Sequence, residues 1–289
     1  MKKIFIVSIA IIAIGGLVLS LMAGKGKNYR KEISVEIEAI KEVVINNESW
    51  DLEFKNTESN KLTISVEGKQ KDKKSDPVTI ENNGEKIIIN QQDEGGSFTN
   101  NFSFGKRGTI YISIPNNVLD TLSVNNSFGD IKMNAVKIKN IIVSNDSGTG
   151  KMEGLSVEKG IFTSKDGELS IKNSSLNNLN VVSTSGDNYL KNVASTKMKI
   201  TSKDGEVKVE DAAEGKSLLV ETKSGDIAVS FKEVPTSLMV SASSNSSDIT
   251  LNLDGLKINT NTEKSKVGTI GDATNTLDLK SEDGTINVK

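Results

Sequence analysis

No cysteine and no histidine occur anywhere in the 289 residues. The first absence excludes disulfides, thiolate metal sites and cysteine nucleophiles. The second removes the commonest general base and metal ligand, and with them any Ser-His-Asp triad. Aromatic residues make up only 4% and apolar residues 35%, with one Trp and three prolines. That is poor material for a thick globular core, and it suits many short strands joined by tight polar turns. Charge of one sign is also missing: 36 basic residues face 38 acidic ones, for a net charge of −2. Nucleic-acid binding needs a basic face, so no nucleic-acid partner is expected. A cysteine-free chain is compatible with the outside of a Gram-positive cell.

One long apolar run is present. Lys2 and Lys3 precede an uncharged stretch from Ile4 to Ala23. At about 1.5 Å rise per residue it spans a hydrocarbon core of about 30 Å as a helix. A cleaved signal peptide is the rival reading, but cleavage after Ala23 would put Leu21, which is not small, at the −3 position. The expectation is a transmembrane signal-anchor over residues 1–24 and a basic juxtamembrane linker over 25–31. A strict positive-inside count of Lys25, Lys27, Arg30 and Lys31 would put that linker in the cytoplasm. The very short N-terminal tail and the Asn/Ser/Thr-rich remainder instead favour placing residues 32–289 outside, which makes this a single-pass membrane protein with its bulk extracytoplasmic.

Residues 32–120 read as a first β region. Ile33, Val35 and Ile37 alternate with polar residues, and short runs such as Val43-Val44-Ile45, Leu62-Thr63-Ile64 and Ile87-Ile88-Ile89 follow. One loop differs in composition. Asp93 to Gly108 reads DEGGSFTNNFSFGKRG and holds three of the eight phenylalanines, Phe98, Phe102 and Phe104, followed by Lys106 and Arg107. Aromatics beside cations on a Gly-rich loop can grip a membrane surface, a glycan or a partner protein. The alternative is a long hairpin whose phenylalanines fold back onto the sheet. These five residues are the candidate partner-binding loop.

Residues 121–289 are repetitive. Gly129, Gly148, Gly167, Gly186 and Gly205 recur at a constant interval of nineteen, and Gly225 follows after twenty. Degenerate copies are read at Ser246-Ser247-Asp248 and Ser265-Lys266-Val267-Gly268, and the last copy at Ser281-Glu282-Asp283-Gly284. Apolar residues keep the same register. Ile131/Met133, Leu169/Ile171, Val207/Val209 and Ile227/Val229 stand two and four places after their glycines, and Ile141/Val143, Leu179/Val181 and Met198/Ile200 twelve and fourteen places after. Period-2 alternation gives each repeat two strands with an inward face. No repeat buries that face alone, so stacking is required. The fold class expected is all-β: the N-terminal helix followed by a parallel β-solenoid of ~19-residue coils, flattened or irregular rather than a regular triangle, since no apolar residue recurs every six. Glycine is expected to supply positive φ at each corner. Asp and Ser around it are expected to make local turn hydrogen bonds. A Ca²⁺-binding carboxylate ladder is the alternative, though the denser nonapeptide spacing of such ladders is missing.

The chain also resembles the adhesin-type domain of bacterial cell-envelope proteins, including LiaG-type proteins. The resemblance rests on the single N-terminal span, the opening strands from Ile37 to Ile45, Ile114-Pro115 followed by Leu119-Asp120-Thr121-Leu122, and turns such as Ser127-Phe128-Gly129-Asp130-Ile131 and Ser224-Gly225-Asp226-Ile227. It implies an envelope protein linked to adhesion or envelope stress, without catalytic residues, cofactor or metal. The partners expected are the membrane, through the N-terminal helix, and a cell-wall polymer or another envelope protein. Two alternatives stay open: a regulator touching a membrane sensor protein, and a polysaccharide-active β-helix enzyme. Against the enzyme, the only arginines, Arg30 and Arg107, lie outside the repeat.

Overall fold

The computed structural model describes residues 27–36, 40–70, 76–92, 108–116, 119–245 and 248–289. The apolar run 4–23 and the loop residues Phe98, Phe102, Phe104, Lys106 and Arg107 lie outside them. Among the described residues every regular element is a strand, 24 in all, and no helix is long and apolar enough to cross a membrane. The first strand, Lys27–Glu36, begins inside the stretch expected to be a linker.

The strands form two rows. One runs Thr121–Asn126, Lys137–Asn145, Ser156–Ser164, the second half of Leu169–Ser183, Lys197–Ser202 and Ser217–Thr222, all parallel. The other runs Ile131–Asn134, Gly150–Glu153, the first half of Leu169–Ser183, Asn188–Ala194, Val207–Ala212 and Ile227–Phe231, also parallel. Partners are offset by one repeat interval, as in Lys137↔Ser156 and Ser156↔Ser175, and by the longer interval at Lys197↔Ser217. The repeat length is thus the length of one coil. Inward side chains of both rows, such as Ile131 and Met133 from one and Ile141 and Val143 from the other, meet in a single buried cluster. Alternate residues point out, so the core is one side chain deep from each row.

Pairing in space departs from chain order at both ends. Residues 42–57 already form a coil: Glu42–Asn47 pairs with Thr121–Asn126, and Asp51–Thr57 with Ile131–Asn134, although several strands intervene in the chain. The expected boundary at residue 120 therefore does not interrupt the stack. At the other end, Asn275–Ser281 and Ile286–Val288 stack directly on Ser217–Thr222 and Ile227–Phe231. The intervening chain forms Leu238–Ser244, which lies beyond the returning strand, and Ser265–Ile270, which pairs antiparallel with it. The expected turn at Ser265-Lys266-Val267-Gly268 is therefore part of an antiparallel strand. Of the other degenerate copy, Ser246 and Ser247 lie outside the described residues. Antiparallel strands close the stack at both ends, Lys27–Glu36 on Lys61–Gln70 at one and Lys257–Asn261 on Ser265–Ile270 at the other. The last is exposed along its whole length and carries a lysine, which suits an edge that must not recruit further strands.

The turn glycines have a different role from the one expected. Among Gly129, Gly148, Gly167, Gly186, Gly205, Gly225 and Gly284, only Gly148 has positive φ, at 98°. What the column requires is space. A Cβ on Gly167, Gly186, Gly205, Gly225 or Gly284 would lie 2.0–2.2 Å from the carbonyl oxygen of the glycine one coil below. Positive φ falls instead at the second corner, six places on, at Ala135, Gly154, Asn173, Asn192 and Asp211. Asn, Asp and Gly tolerate that left-handed conformation best.

Glu214 ties the chain's departure to its return. Its Oε2 accepts from Thr236 N at 2.8 Å and Thr236 Oγ1 at 3.1 Å, and its Oε1 from Ser237 N and Asn275 Nδ2 at 3.0 Å. Burial alone would raise its pKa, but these four donors outweigh it and hold the carboxyl below its ordinary 4.5. A depressed native pKa stabilises the fold above the unfolded value, and that stabilisation is lost as pH falls through the native one. Glu214→Gln should lower Tm at neutral pH by about 2–4 °C, the equivalent of about 1 kcal/mol in a domain of this size. The gap from wild type should close as the pH is taken below 4.5. A gap that persists unchanged in acid would refute the assignment.

Candidate functional site

Three places before each turn glycine stands a buried polar residue: Asn126, Asn145, Ser164, Ser183, Ser202, Thr222 and Ser281. In most coils this side chain donates to the glycine carbonyl of its own turn. Asn126 Nδ2 does so at 2.5 Å, Asn145 Nδ2 at 2.7 Å, Ser164 Oγ at 2.8 Å, Ser202 Oγ at 3.0 Å and Thr222 Oγ1 at 2.6 Å. The bond pulls the turn inward, and this is why the stacked glycines come so close. In the first coil Asn47 Nδ2 bonds the Trp50 carbonyl in the same way at 2.6 Å. Trp50 thus stands where later coils have glycine, and Gly129 sits on its carbonyl.

At this end of the stack the buried amides also join one another. Asn47 Nδ2 donates to Asn126 Oδ1 at 2.5 Å, and Asn126 Nδ2 to Asn145 Oδ1 at 2.6 Å. Gln91 continues the row on the other side, in register with Asn47. Its Oε1 accepts from the backbone amides of Glu48 and Ser49, both at 2.9 Å. A second, outward-facing row runs beside it, with Asn125 Nδ2 donating to Asn46 Oδ1 at 2.9 Å and Asn46 Nδ2 to Asn90 Oδ1 at 2.7 Å.

These two amide rows line a groove of about 220 Å³, with Asn46, Asn47, Asn90, Gln91, Asn125 and Asn126 among its walls. Two of the buried polar atoms there have no partner, Gln91 Nε2 and Asn47 Oδ1. Gln91 is 1% and Asn47 3% exposed. At the rim, Asp146 pairs with Lys165 at 2.6 Å. Phe128, next to the lining residue Ser127, is 70% exposed, the most exposed large apolar side chain among the described residues. A larger cleft of about 400 Å³ lies beside Glu214, but that carboxylate is committed to the four bonds described above.

The aspartates that follow the turn glycines are occupied as well. Asp130 Oδ1 accepts from Thr149 N at 2.9 Å, Asp187 Oδ1 from Glu206 N at 2.9 Å and Asp226 Oδ1 from Thr285 N at 2.7 Å. Each carboxylate bridges to the next coil's backbone, a use between coils where local turn bonds were expected. Among the described residues no three acidic side chains gather as a metal site.

The candidate loop residues Phe98, Phe102, Phe104, Lys106 and Arg107 lie outside the described residues, but the chain on either side of the loop does not. Gln92 lines the groove, and Gly108 packs so tightly on Trp50 that a Cβ there would lie 2.4 Å from the indole. The amide groove was missed by sequence reading. Its only signals were the doublets Asn46-Asn47, Asn90-Gln91 and Asn125-Asn126. Their mutual register depends on strands far apart in the chain, so nothing local joins them.

Comparison with known proteins bears on fold and family. The family model described as Toastrack DUF4097 matches residues 40–289. No curated protein matches the chain. Among solved structures, a "putative adhesin" from Bacteroides fragilis is 12% identical, with a TM-score of 0.57 over 91% of this chain and 97% of that one. A "putative adhesin" from Parabacteroides distasonis is 15% identical, with a TM-score of 0.51 over 92% and 98%. At such identities the likeness shows the fold. The match over most of its length means that the chain belongs to the Toastrack DUF4097 family.

Proposed function

We propose that this Toastrack DUF4097 protein is a non-enzymatic binding module of the bacterial cell envelope. Residues 4–23 hold it to the membrane, residues 32–289 lie outside, and the stack offers its outer face to a cell-wall polymer or another envelope protein. The observation that carries the reading is the amide groove. Its floor is made of carboxamides, which hydrogen-bond well but do not ionise or attack as nucleophiles near neutral pH. Such groups suit recognition rather than turnover. The rigid array of parallel strands around it supplies an extended surface, the usual use of a solenoid. The adhesin names carried by the Bacteroides fragilis and Parabacteroides distasonis structures point the same way.

The aromatic loop, residues 93–107, is the second candidate contact. It leaves the stack at Gln92, on the groove, and re-enters at Gly108, on Trp50. Phe98, Phe102 and Phe104, with Lys106 and Arg107, supply apolar area and positive charge in the segment that follows Gln92 in sequence, and the groove that Gln92 lines includes Glu48 and Asp146.

The test is co-sedimentation of the purified protein with cell-wall sacculi, together with crosslinking in intact membranes. Recovery on sacculi supports wall binding, and capture of a sensor protein supports the regulator. Replacing Phe98, Phe102 and Phe104 together by Ser should weaken the interaction about tenfold or more without lowering Tm. Unchanged binding would remove the loop from the reading. Turnover of any wall glycan by the protein would overturn the non-enzymatic assignment.

A further inference from the structure

We infer that the strand Lys27–Glu36 is a docking edge for a second copy of this chain. Two copies pair antiparallel about a two-fold axis, with Lys31 opposite Lys31 and Arg30 opposite Glu32. This contact goes beyond the binding-module reading above and is independent of what the stack binds.

Among the described residues four strands belong to a single ladder: Lys27–Glu36, Val78–Asn82, Ile249–Leu251 and Lys257–Asn261. Three of them are blunted in the ways sheet edges commonly are. Ile249–Leu251 has three residues and Val78–Asn82 five. Lys257–Asn261 slips register between Ile258 and Thr260. Lys27–Glu36 differs: it has ten residues, holds neither proline nor glycine, and follows Lys61–Gln70 without a slip. No backbone group of the other described residues bonds its far side. A straight row of unpaired amides and carbonyls therefore runs along it, and such a row is a template for another strand.

The charges on this strand identify the occupant. Asn28, Arg30, Glu32, Ser34 and Glu36 are exposed, while Tyr29, Lys31, Ile33 and Val35 are half-buried on the inward side. Glu36 is held by Lys61 at 2.7 Å and Lys31 by Asp76 at 3.0 Å. Arg30 places Nε 3.4 Å from Glu67, and its side chain is 66% exposed, so the far end of the guanidinium stays available. Glu32 has no bond or ion pair with any described residue. A two-fold axis between antiparallel strands keeps both inner faces on one side, so odd residues oppose odd and even oppose even. The register centred on Lys31 pairs residues 27–35 and sets Arg30 opposite Glu32 twice. Centring on Arg30 or on Glu32 would oppose like charges, which destabilises a cross-strand pair. Centring on Ile33 shortens the overlap to residues 30–36 and offers Arg30 only Glu36, which Lys61 already holds. On the inward side the Lys31 register sets Tyr29 beside Ile33 twice, a favourable aromatic and β-branched pair. The two lysines that meet at the axis are each neutralised by their own Asp76.

The experiment measures the mass of the full-length protein in detergent micelles over a range of concentrations. The result expected is a dimer that dissociates on dilution. Arg30→Glu and Glu32→Arg should each weaken it by roughly tenfold, because each turns two attractive pairs into repulsive ones. The double variant Arg30→Glu/Glu32→Arg should recover most of that loss, since opposite charges face each other again. Damage to the fold, or association through the apolar run alone, would not be repaired by the exchange. The chain has no cysteine, so one introduced thiol reports the register. Lys31→Cys should link two copies on mild oxidation, because a residue opposite itself brings the Cα atoms to about 4.5–5.5 Å, within disulfide reach. Thr79→Cys, exposed on the short edge Val78–Asn82, should link far more slowly. A wild-type protein that stays monomeric, a double variant as weak as the single ones, or a Lys31→Cys variant that links no faster than Thr79→Cys would overturn the assignment.

Discussion

Gly186→Ala is expected to cost roughly 3–5 kcal/mol of stability, at the severe end of single substitutions. The new Cβ would lie 2.0 Å from the Gly167 carbonyl oxygen and 2.6 Å from its carbon. Both atoms are backbone, so no flexible side chain can move aside. Relief requires the two coils to separate at that corner, while strands on either side hold them at about 4.8 Å. The separation would lengthen the neighbouring bonds between coils, such as Ser185 N to Lys165 O at 2.7 Å. The matching control is Gly255→Ala. Gly255 has a φ of 78° and nothing within 4 Å of an added methyl, so only the left-handed backbone penalty of about 1–2 kcal/mol applies. Chemical denaturation of the two variants discriminates between the explanations. If Gly186→Ala costs no more than Gly255→Ala, the glycine column does not depend on close stacking.

Asn126→Leu should destabilise by about 3–4 kcal/mol, although Leu is similar in size. Three bonds vanish together: those to Gly129 O, to Asn145 Oδ1 and from Asn47 Nδ2. The partners are buried, and each one orphaned costs about 1–3 kcal/mol, reduced here because Asn47 Nδ2 keeps its bond to Trp50 O. Asn126→Ser should cost less, about 1–2 kcal/mol, because a hydroxyl at this place in later coils, such as Ser164 or Ser202, still reaches the glycine carbonyl. Equal losses for Leu and Ser would mean that the bond to the turn is not what matters at this position. The Ser variant also breaks the amide row next to Asn47, so it links the stability of the turn to the shape of the groove.

Much of the coil was legible from residues alone. The inward pairs Ile131/Met133, Leu169/Ile171 and Val207/Val209 are buried as the alternation required. Trp50 forms the first turn of the stack, and nothing in its local sequence resembles the glycines that follow, so that turn was not legible. Asn188 was missed as well. It occupies an inward position two places after Gly186, is fully buried, and bonds Ser183 Oγ at 2.7 Å and Gly186 O at 3.1 Å. An asparagine in an apolar column reads as a break in the pattern, and only its buried partners explain it.

By itself the sequence determined what is periodic: the length of one coil, the two inward strands in each and the place of the glycine corners from Gly129 to Gly225. Those follow from short-range alternation, which every strand carries within its own few residues. Only the tertiary structure decided which coil lies against which. Residues 42–57 join the stack beside residues 121–134, and Gly284 lands on Gly225 after the chain has made its whole terminal excursion. Backbone hydrogen bonds between distant strands set that order, and they are nearly indifferent to side-chain identity. The same long-range register turned the glycines from corners of free conformation into points of closest contact. It also brought Gln91 and Asn47 together at the floor of a groove.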